Sequence, residues 1–152
     1  MSLTIQEVND APILTTIQDL VIDEDGSALI NLSADDIDGD NLSFNIVGGD
    51  NITAVINGSD VSFVPAQNFN GSESFIISVS DNEFTNSQTI NVTVSPVNDA
   101  QQADSSEDST FEDQSTLVVL SASDIDGYNL IYSIDRPSLN GTLNLDLSLI
   151  HN

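Results

Sequence analysis

The chain has 152 residues, of which 25 are acidic and one, Arg136, is basic, giving a formal net charge of −24. Phosphate recognition needs clustered Lys and Arg, so this balance excludes nucleic acid and anionic membrane surfaces as partners. A hydrophobic content of 39% is enough for a folded core, and only 5% aromatic content makes that core mostly Val, Ile and Leu. There is no cysteine, hence no disulfide and no thiolate chemistry.

From the N-terminus, Met1-Ser2-Leu3 reads as a short leader, and residues 1–7 as an N-terminal extension. The segment lacks the basic and apolar regions of a signal peptide, and no apolar run approaches membrane-span length. The expectation is therefore an excerpt of a longer secreted protein whose export signal lies elsewhere. Apolar and polar residues then alternate in short runs: Ala28/Ile30/Leu32, Leu42/Phe44/Ile46, Val61/Phe63, Phe75/Ile77/Val79 and Ile90/Val92/Val94. A period of two over four to eight residues predicts half-buried strands. They fall near 13–15, 18–22, 28–33, 42–47, 52–56, 60–64, 74–80 and 87–95. Turn formers separate them: Asp25-Gly26, Asp38-Gly39, Gly48-Gly49-Asp50-Asn51, Asn57-Gly58, Asn70-Gly71 and Asp81-Asn82. Gly48-Gly49-Asp50 is expected to be a hairpin turn. Short strands at this spacing predict an all-β, antiparallel Greek-key β-sandwich over residues 8–96.

Ser95-Pro96-Val97-Asn98-Asp99 marks a boundary, and a second pattern begins at 97. Thr116/Val118/Leu120, Leu130/Tyr132/Ile134 and Leu143/Leu145/Leu147 predict further strands. Nothing after them corresponds to Phe63 through Val94, so 97–152 is expected to be a second, incomplete repeat. The two halves share more than strand periodicity. Glu24-Asp25-Gly26-Ser27 to Ala34-Asp35-Asp36-Ile37-Asp38-Gly39-Asp40-Asn41-Leu42 returns 88 residues later, as Glu112-Asp113-Gln114-Ser115 to Ala122-Ser123-Asp124-Ile125-Asp126-Gly127-Tyr128-Asn129-Leu130. Val8-Asn9-Asp10-Ala11 returns 89 residues later as Val97-Asn98-Asp99-Ala100.

Repeated apolar positions follow from each repeat needing a core. Repeated acids need another cause. Clustered carboxylates repel unless a cation lies between them, and calcium is the usual cation of all-oxygen sites. Asp36-Ile37-Asp38 and Asp124-Ile125-Asp126 carry acids spaced two apart, which extended backbone points the same way, and Asn41 and Asn129 add an oxygen to each. The competing reading is an Asx turn at Asp-Gly, or acid retained for solubility alone. An EF-hand is excluded, because its glycine and its final bidentate Glu would fall on Asn41 and Val47. Asn-x-Ser/Thr sequons are numerous, but a composition rich in Asn, Ser and Thr produces them by chance. No catalytic set stands out. His151 is the only histidine, and neither a Ser-His-Asp set, a cysteine nucleophile nor a phosphate loop is present. Carboxylate pairs leave a glycosidase open on composition, but the few aromatics read as core rather than as a substrate cleft. The expectation is a non-enzyme.

Ser33 to Ile46 resembles the cadherin pattern of Ala, Asp-x-Asp, Gly and Asn before a strand, and Ser121 to Ile134 resembles it more closely. Val97-Asn98-Asp99-Ala100 resembles the cadherin interdomain linker. Together with Phe63-Val64-Pro65, Asn68-Phe69-Asn70-Gly71, Phe75 and Val79-Ser80-Asp81, the chain is similar to the tandem cadherin-like repeats of large secreted bacterial surface proteins and adhesins. That resemblance implies calcium between consecutive domains. Its ligands would be Glu24, Asn98, Asp99, Asp124, Asp126 and Asn129, with an equivalent set of Asn9, Asp10, Asp36, Asp38, Asn41 and Asp81 at the start of the first domain. Pro96 and Ala100 stand where that linker usually has Asp and Asn, and the mid-domain Asp-Arg-Glu motif has no counterpart. Fewer ligands imply weak binding, on the order of 0.1–1 mM, the range of extracellular modules. The function implied is a calcium-stiffened extracellular module for adhesion, with neighbouring repeats, surface carbohydrate or protein as partners. A carbohydrate-binding accessory module and an inert acidic spacer are the alternatives; the first predicts exposed aromatics, for which Phe84 and Tyr128 are the candidates.

Overall fold

A computed structural model describes Leu3 and residues 8–133. The chain divides into two compact units, Met1–Val97 and Asn98–Asn152. The expected strand positions Ile134 and Leu143/Leu145/Leu147, together with Arg136 and His151, lie outside the described residues.

Among its described residues the first unit has nine strands: β1 (Ile13–Leu14), β2 (Leu20–Asp23), β3 (Ala28–Asn31), β4 (Ala34–Asp35), β5 (Ser43–Gly48), β6 (Ile52–Asn57), β7 (Asp60–Pro65), β8 (Gly71–Ser80) and β9 (Thr85–Ser95). One sheet has the order β2-β9-β8-β5 and the other β3-β7-β6, with β1 and β4 forming a short pair beside them. The all-β sandwich expected from the alternating pattern is what forms. One pairing departs from the antiparallel rule: β2 runs parallel to β9, with Leu20 opposite Val92 and Asp23 opposite Ser95. Parallel partners cannot be joined by a tight hairpin, and these two are far apart in sequence, at opposite ends of the unit.

Alternation places the core. Phe75, Ile77 and Val79 of β8 and Ile90, Val92 and Val94 of β9 face inward and are buried, as are Ile52, Val61 and Phe63 from the opposing sheet. Phe63 and Phe75 meet edge to face across the sandwich, their ring centroids 5.2 Å apart at 78°. This contact ties the two sheets together and adds about 0.5–1.5 kcal/mol beyond the area it buries.

The Gly48–Asn51 stretch is not a hairpin turn. It carries the chain from β5 in one sheet to β6 in the other. Gly49 has φ +80°, and a Cβ there would lie 2.6 Å from the Phe75 ring, so the corner needs glycine. Glu73 holds the corner from β8. Its carboxylate accepts the amides of Asp50 (3.0 Å), Asn51 (2.9 Å) and Ile52 (3.0 Å) and the Asn51 side-chain amide (2.9 Å). Burial pushes the Glu73 carboxyl up, but these four bonds outweigh it and hold the group below the usual glutamate range. A hairpin and a sheet crossing share the same Gly-Gly-Asp-Asn chemistry; only the partners of the flanking strands distinguish them.

The second unit contributes β10 (Gln102–Ala103) and β11 (Ala122–Ser123), which pair with each other. Thr116–Leu120 and Leu130–Ser133, read as strands from alternation, carry no ladder among the described residues. Alternation supplies a face to bury, but a strand also needs a neighbour for its amides. In the first unit β2, β3 and β5 find theirs in β9, β7 and β8, at repeat positions that the described residues of the second unit do not include.

Candidate functional site

In the first unit the loop after β4 is folded by its own acids. Asp36 Oδ1 accepts the amides of Asp38 (3.0 Å) and Asp40 (3.2 Å), which is the Asx-turn chemistry expected of Asp beside Gly. Gly39 sits at φ +78° within it. The turn brings one carboxylate oxygen each from Asp36, Asp38 and Asp40 within 4.8 Å of one another. Two unit charges at that separation repel by about 3 kcal/mol where the effective dielectric constant is near 20. Asp36 Oδ2 is buried and has no hydrogen-bond partner. An oxygen in that position loses water without gaining a donor, so a cation is the group that fits it.

The remaining residues expected at this end fall around the loop. The Asp10 amide donates to Asp38 Oδ2 at 2.7 Å. Asn9 Nδ2 donates to Asp81 Oδ2 at 2.9 Å, and Asp81 Oδ1 accepts the amides of Glu83 (2.7 Å) and Phe84 (2.6 Å). Asn9 and Asp10 thereby tie the β8–β9 turn to the Asp36–Asp40 loop. Asp81 is buried. The Phe84 amide lowers its carboxyl below the usual range, burial opposes this, and Asn9 and Glu83 reinforce it. Asn41 is exposed beside Asp40. Asp40 was absent from the ligand set drawn from sequence, although the alternation Asp36-x-Asp38-x-Asp40 already signalled it.

At the other end of the unit Glu24 is buried, and its Oε1 accepts the Val97 amide at 2.6 Å. Its own amide donates to Ser95 O at 2.9 Å. Glu24 is thus the residue that fastens the last strand where it leaves the sandwich.

The second unit repeats the loop bond for bond. The Asp99 amide donates to Asp126 Oδ2 at 2.7 Å, and Asp124 Oδ1 accepts the amides of Asp126 (3.0 Å) and Tyr128 (3.2 Å). Gly127 sits at φ +75°. Asn98 Nδ2 donates to Asp99 O at 2.9 Å, and Asn129 is exposed. Tyr128 takes the place of Asp40, so this copy has one carboxylate fewer.

Residues 9–93 match the family described as "Bacterial Ig domain". The chain belongs to this family. Its match runs from the Asn9 that meets Asp81 through β1 to β8 and most of β9. Among solved structures, this bacterial Ig domain chain is similar to human protocadherin-24 EC1-2, at 23% identity and TM-score 0.47, over 58% of this chain and 44% of that one. It is also similar to an endo-fucoidan hydrolase, MfFcnA4 from glycoside hydrolase family 107, at 23% identity and TM-score 0.42, over 57% of this chain and 14% of that one. A chimeric titin Z1Z2 matches at 14% identity and TM-score 0.41, over 60% of this chain and all of that one. The chain thus spans less than half the length of the first two. No curated protein matches. No helix among the described residues is long and apolar enough to cross a membrane.

Proposed function

We propose that this bacterial Ig domain chain is a calcium-binding extracellular module that stiffens a tandem-repeat surface protein for adhesion. The observation that carries the reading is the Asp36–Asp38–Asp40 loop, where three carboxylate oxygens lie within 4.8 Å and Asp36 Oδ2 is buried with no hydrogen-bond donor. Oxygen-only ligands at this density suit a hard divalent cation, and calcium accepts irregular carboxylate geometry more readily than magnesium. Asp36, Asp38 and Asp40 are the central ligands, with Asn41 beside them and Asn9, Asp10 and Asp81 holding the surrounding backbone. Asp124, Asp126 and Asn129, with Asn98 and Asp99, form the second set, and Glu24 joins the ligands by resemblance to cadherin-like repeats. Calcium supplies the positive charge that the loop lacks; the residues supply turn geometry and orientation.

Thermal unfolding in millimolar calcium, in magnesium and in chelator tests this. A ligand that binds only the folded state raises the midpoint, by about 1.4 kcal/mol of added stability at a tenfold excess over its dissociation constant. A rise with calcium and little with magnesium is expected. An unchanged midpoint at several millimolar calcium would sink the reading and leave an acidic spacer.

A further inference from the structure

The tip of the β6-β7 hairpin carries a reactive pair. Asn57 ends β6 and lies directly opposite Asp60 at the start of β7, with Gly58-Ser59 as the turn between them. Gly58 has φ +64°, and glycine at the first turn position is the type II′ preference. Asn57 and Gly58 are both exposed. Among the described residues the Asn57 carboxamide makes no hydrogen bond and the Gly58 N–H has no acceptor. A Cβ at Gly58 would meet nothing within 4 Å. An electrophilic side-chain amide therefore stands next to a backbone nitrogen that is unbonded, uncrowded and in water.

Among the described residues no other pair combines these features. In Asn70-Gly71 the glycine begins β8, opposite Val94 in the ladder, and a Cβ there would lie 3.1 Å from the Phe69 ring. The three Asp-Gly pairs offer a carboxylate, a poor electrophile, and Gly26 and Gly127 already donate to Asp23 O (3.0 Å) and Asp124 O (3.2 Å). Every other described asparagine precedes a residue whose side chain shields the nitrogen. Asn140-Gly141 lies outside the described residues.

We propose that Asn57-Gly58 is a site of spontaneous deamidation in the folded chain, which turns the hairpin tip into a pair of facing carboxylates. The Gly58 nitrogen attacks Asn57 Cγ. A new C–N bond closes a succinimide, the carboxamide C–N bond breaks, and ammonia leaves with the proton that Gly58 gives up. Water then opens the ring, leaving aspartate or isoaspartate at position 57. Ring closure takes the Asn57 backbone out of its extended conformation, so it proceeds from a locally opened tip. Asn31 restrains that opening, because its Nδ2 donates to Ser59 Oγ (3.0 Å) and Asp60 Oδ1 (2.7 Å). The Leu32 amide also donates to Ser59 O at 2.7 Å. Either product sets a new negative charge against Asp60, and like charges directly opposite destabilise a strand pair. Isoaspartate also lengthens the main chain by one carbon and disturbs the β6-β7 register. No cation takes part, so the proposal stands or falls apart from the calcium reading.

Ageing the full chain in warm, mildly alkaline buffer with chelator, followed by peptide mapping with tandem mass spectrometry, tests the proposal. Acid should replace amide at position 57 faster than at position 70 by about tenfold, because reaching the Gly71 nitrogen first opens the β8-β9 ladder. In denaturant the two rates should converge. Asn31→Ala should speed conversion at Asn57 and leave Asn70 unchanged. Asn57→Asp, which places the charge from the start, should lower the unfolding midpoint at neutral pH, and the difference should shrink in acid as the facing carboxylates protonate. A folded chain that keeps its amide at Asn57 while the denatured chain loses it overturns the proposal. So does a folded chain in which Asn70 converts as fast as Asn57.

Discussion

The Asp10 amide donates to the Asp38 carboxylate at 2.7 Å, and its repeat counterpart Asp99 donates to Asp126 at the same distance. The agreement extends outward from these bonds. Leu14 opposite Ala34 in β1-β4 has its counterpart in Ala103 opposite Ala122 in β10-β11. Thr15 N–H donates to Ser33 O at 2.9 Å, as Asp104 N–H does to Ser121 O at 3.0 Å. Asp25 and Asp113 both adopt positive φ, at 62° and 63°. The acidic loop and its short strand pair therefore form from local sequence, in a unit whose described residues carry no longer ladder.

Neutralising the loop should act in opposite directions with and without calcium. Asp38→Asn removes one of three clustered charges, so it should raise the midpoint slightly in chelator, by relieving repulsion. The same change should reduce the calcium-induced rise, because a ligand oxygen is lost. Paired melts of wild type and variant check this. A variant whose calcium response equals wild type removes Asp38 from the ligand set.

Glu73→Gln should destabilise the first unit by about 1–3 kcal/mol, because an amide cannot accept all four donors at the Gly48–Asn51 corner. The carboxyl is held below the usual glutamate range in the folded state, so the unfolded chain binds the extra proton first as pH falls. Its contribution is complete above the ordinary glutamate value and is lost as pH falls through the depressed folded value. Urea unfolding midpoints across the acid range should fall less steeply in Glu73→Gln than in wild type.

Gly49→Ala probes the same corner through sterics. A Cβ would lie 2.6 Å from the Phe75 ring at a backbone φ of +80°, so a loss of about 1–3 kcal/mol is expected by chemical denaturation. A neutral result would mean that the corner and the Phe75 ring shift together.

Gln88→Ala should loosen the start of the chain. The Gln88 side chain accepts the Ile17 amide at 3.1 Å and donates to the Ile17 carbonyl at 2.5 Å, standing in for a strand partner between β1 and β2. Leaving both backbone groups without it costs about 1–3 kcal/mol. Amide exchange at Ile17 should rise well above that at Val92 in the β9 core.

Phe75→Ala tests the cross-sheet contact. Loss of a fully buried ring and its edge-to-face partner Phe63 should cost about 3–5 kcal/mol, a large share of a small domain's stability. A loss under about 1 kcal/mol would show that the sandwich repacks around the gap.

Strand positions in the first unit, the turn residues between them and the recurring acids were legible in the sequence, because alternation and Asp-Gly chemistry depend on neighbours a few residues away. The Asp36 turn is the plainest case: its donors, Asp38 and Asp40, are two and four positions on. Tertiary structure alone decided which strands met. It set β2 parallel to β9, made the Gly48–Asn51 stretch a crossing between sheets, and placed Glu73, a residue with no local signature, under four donors more than twenty positions away. Among the described residues it also left Thr116–Leu120 without a ladder, despite an alternation equal to that of β3. Alternation specifies which face of a strand is apolar, whereas pairing depends on backbone groups that another part of the chain must bring.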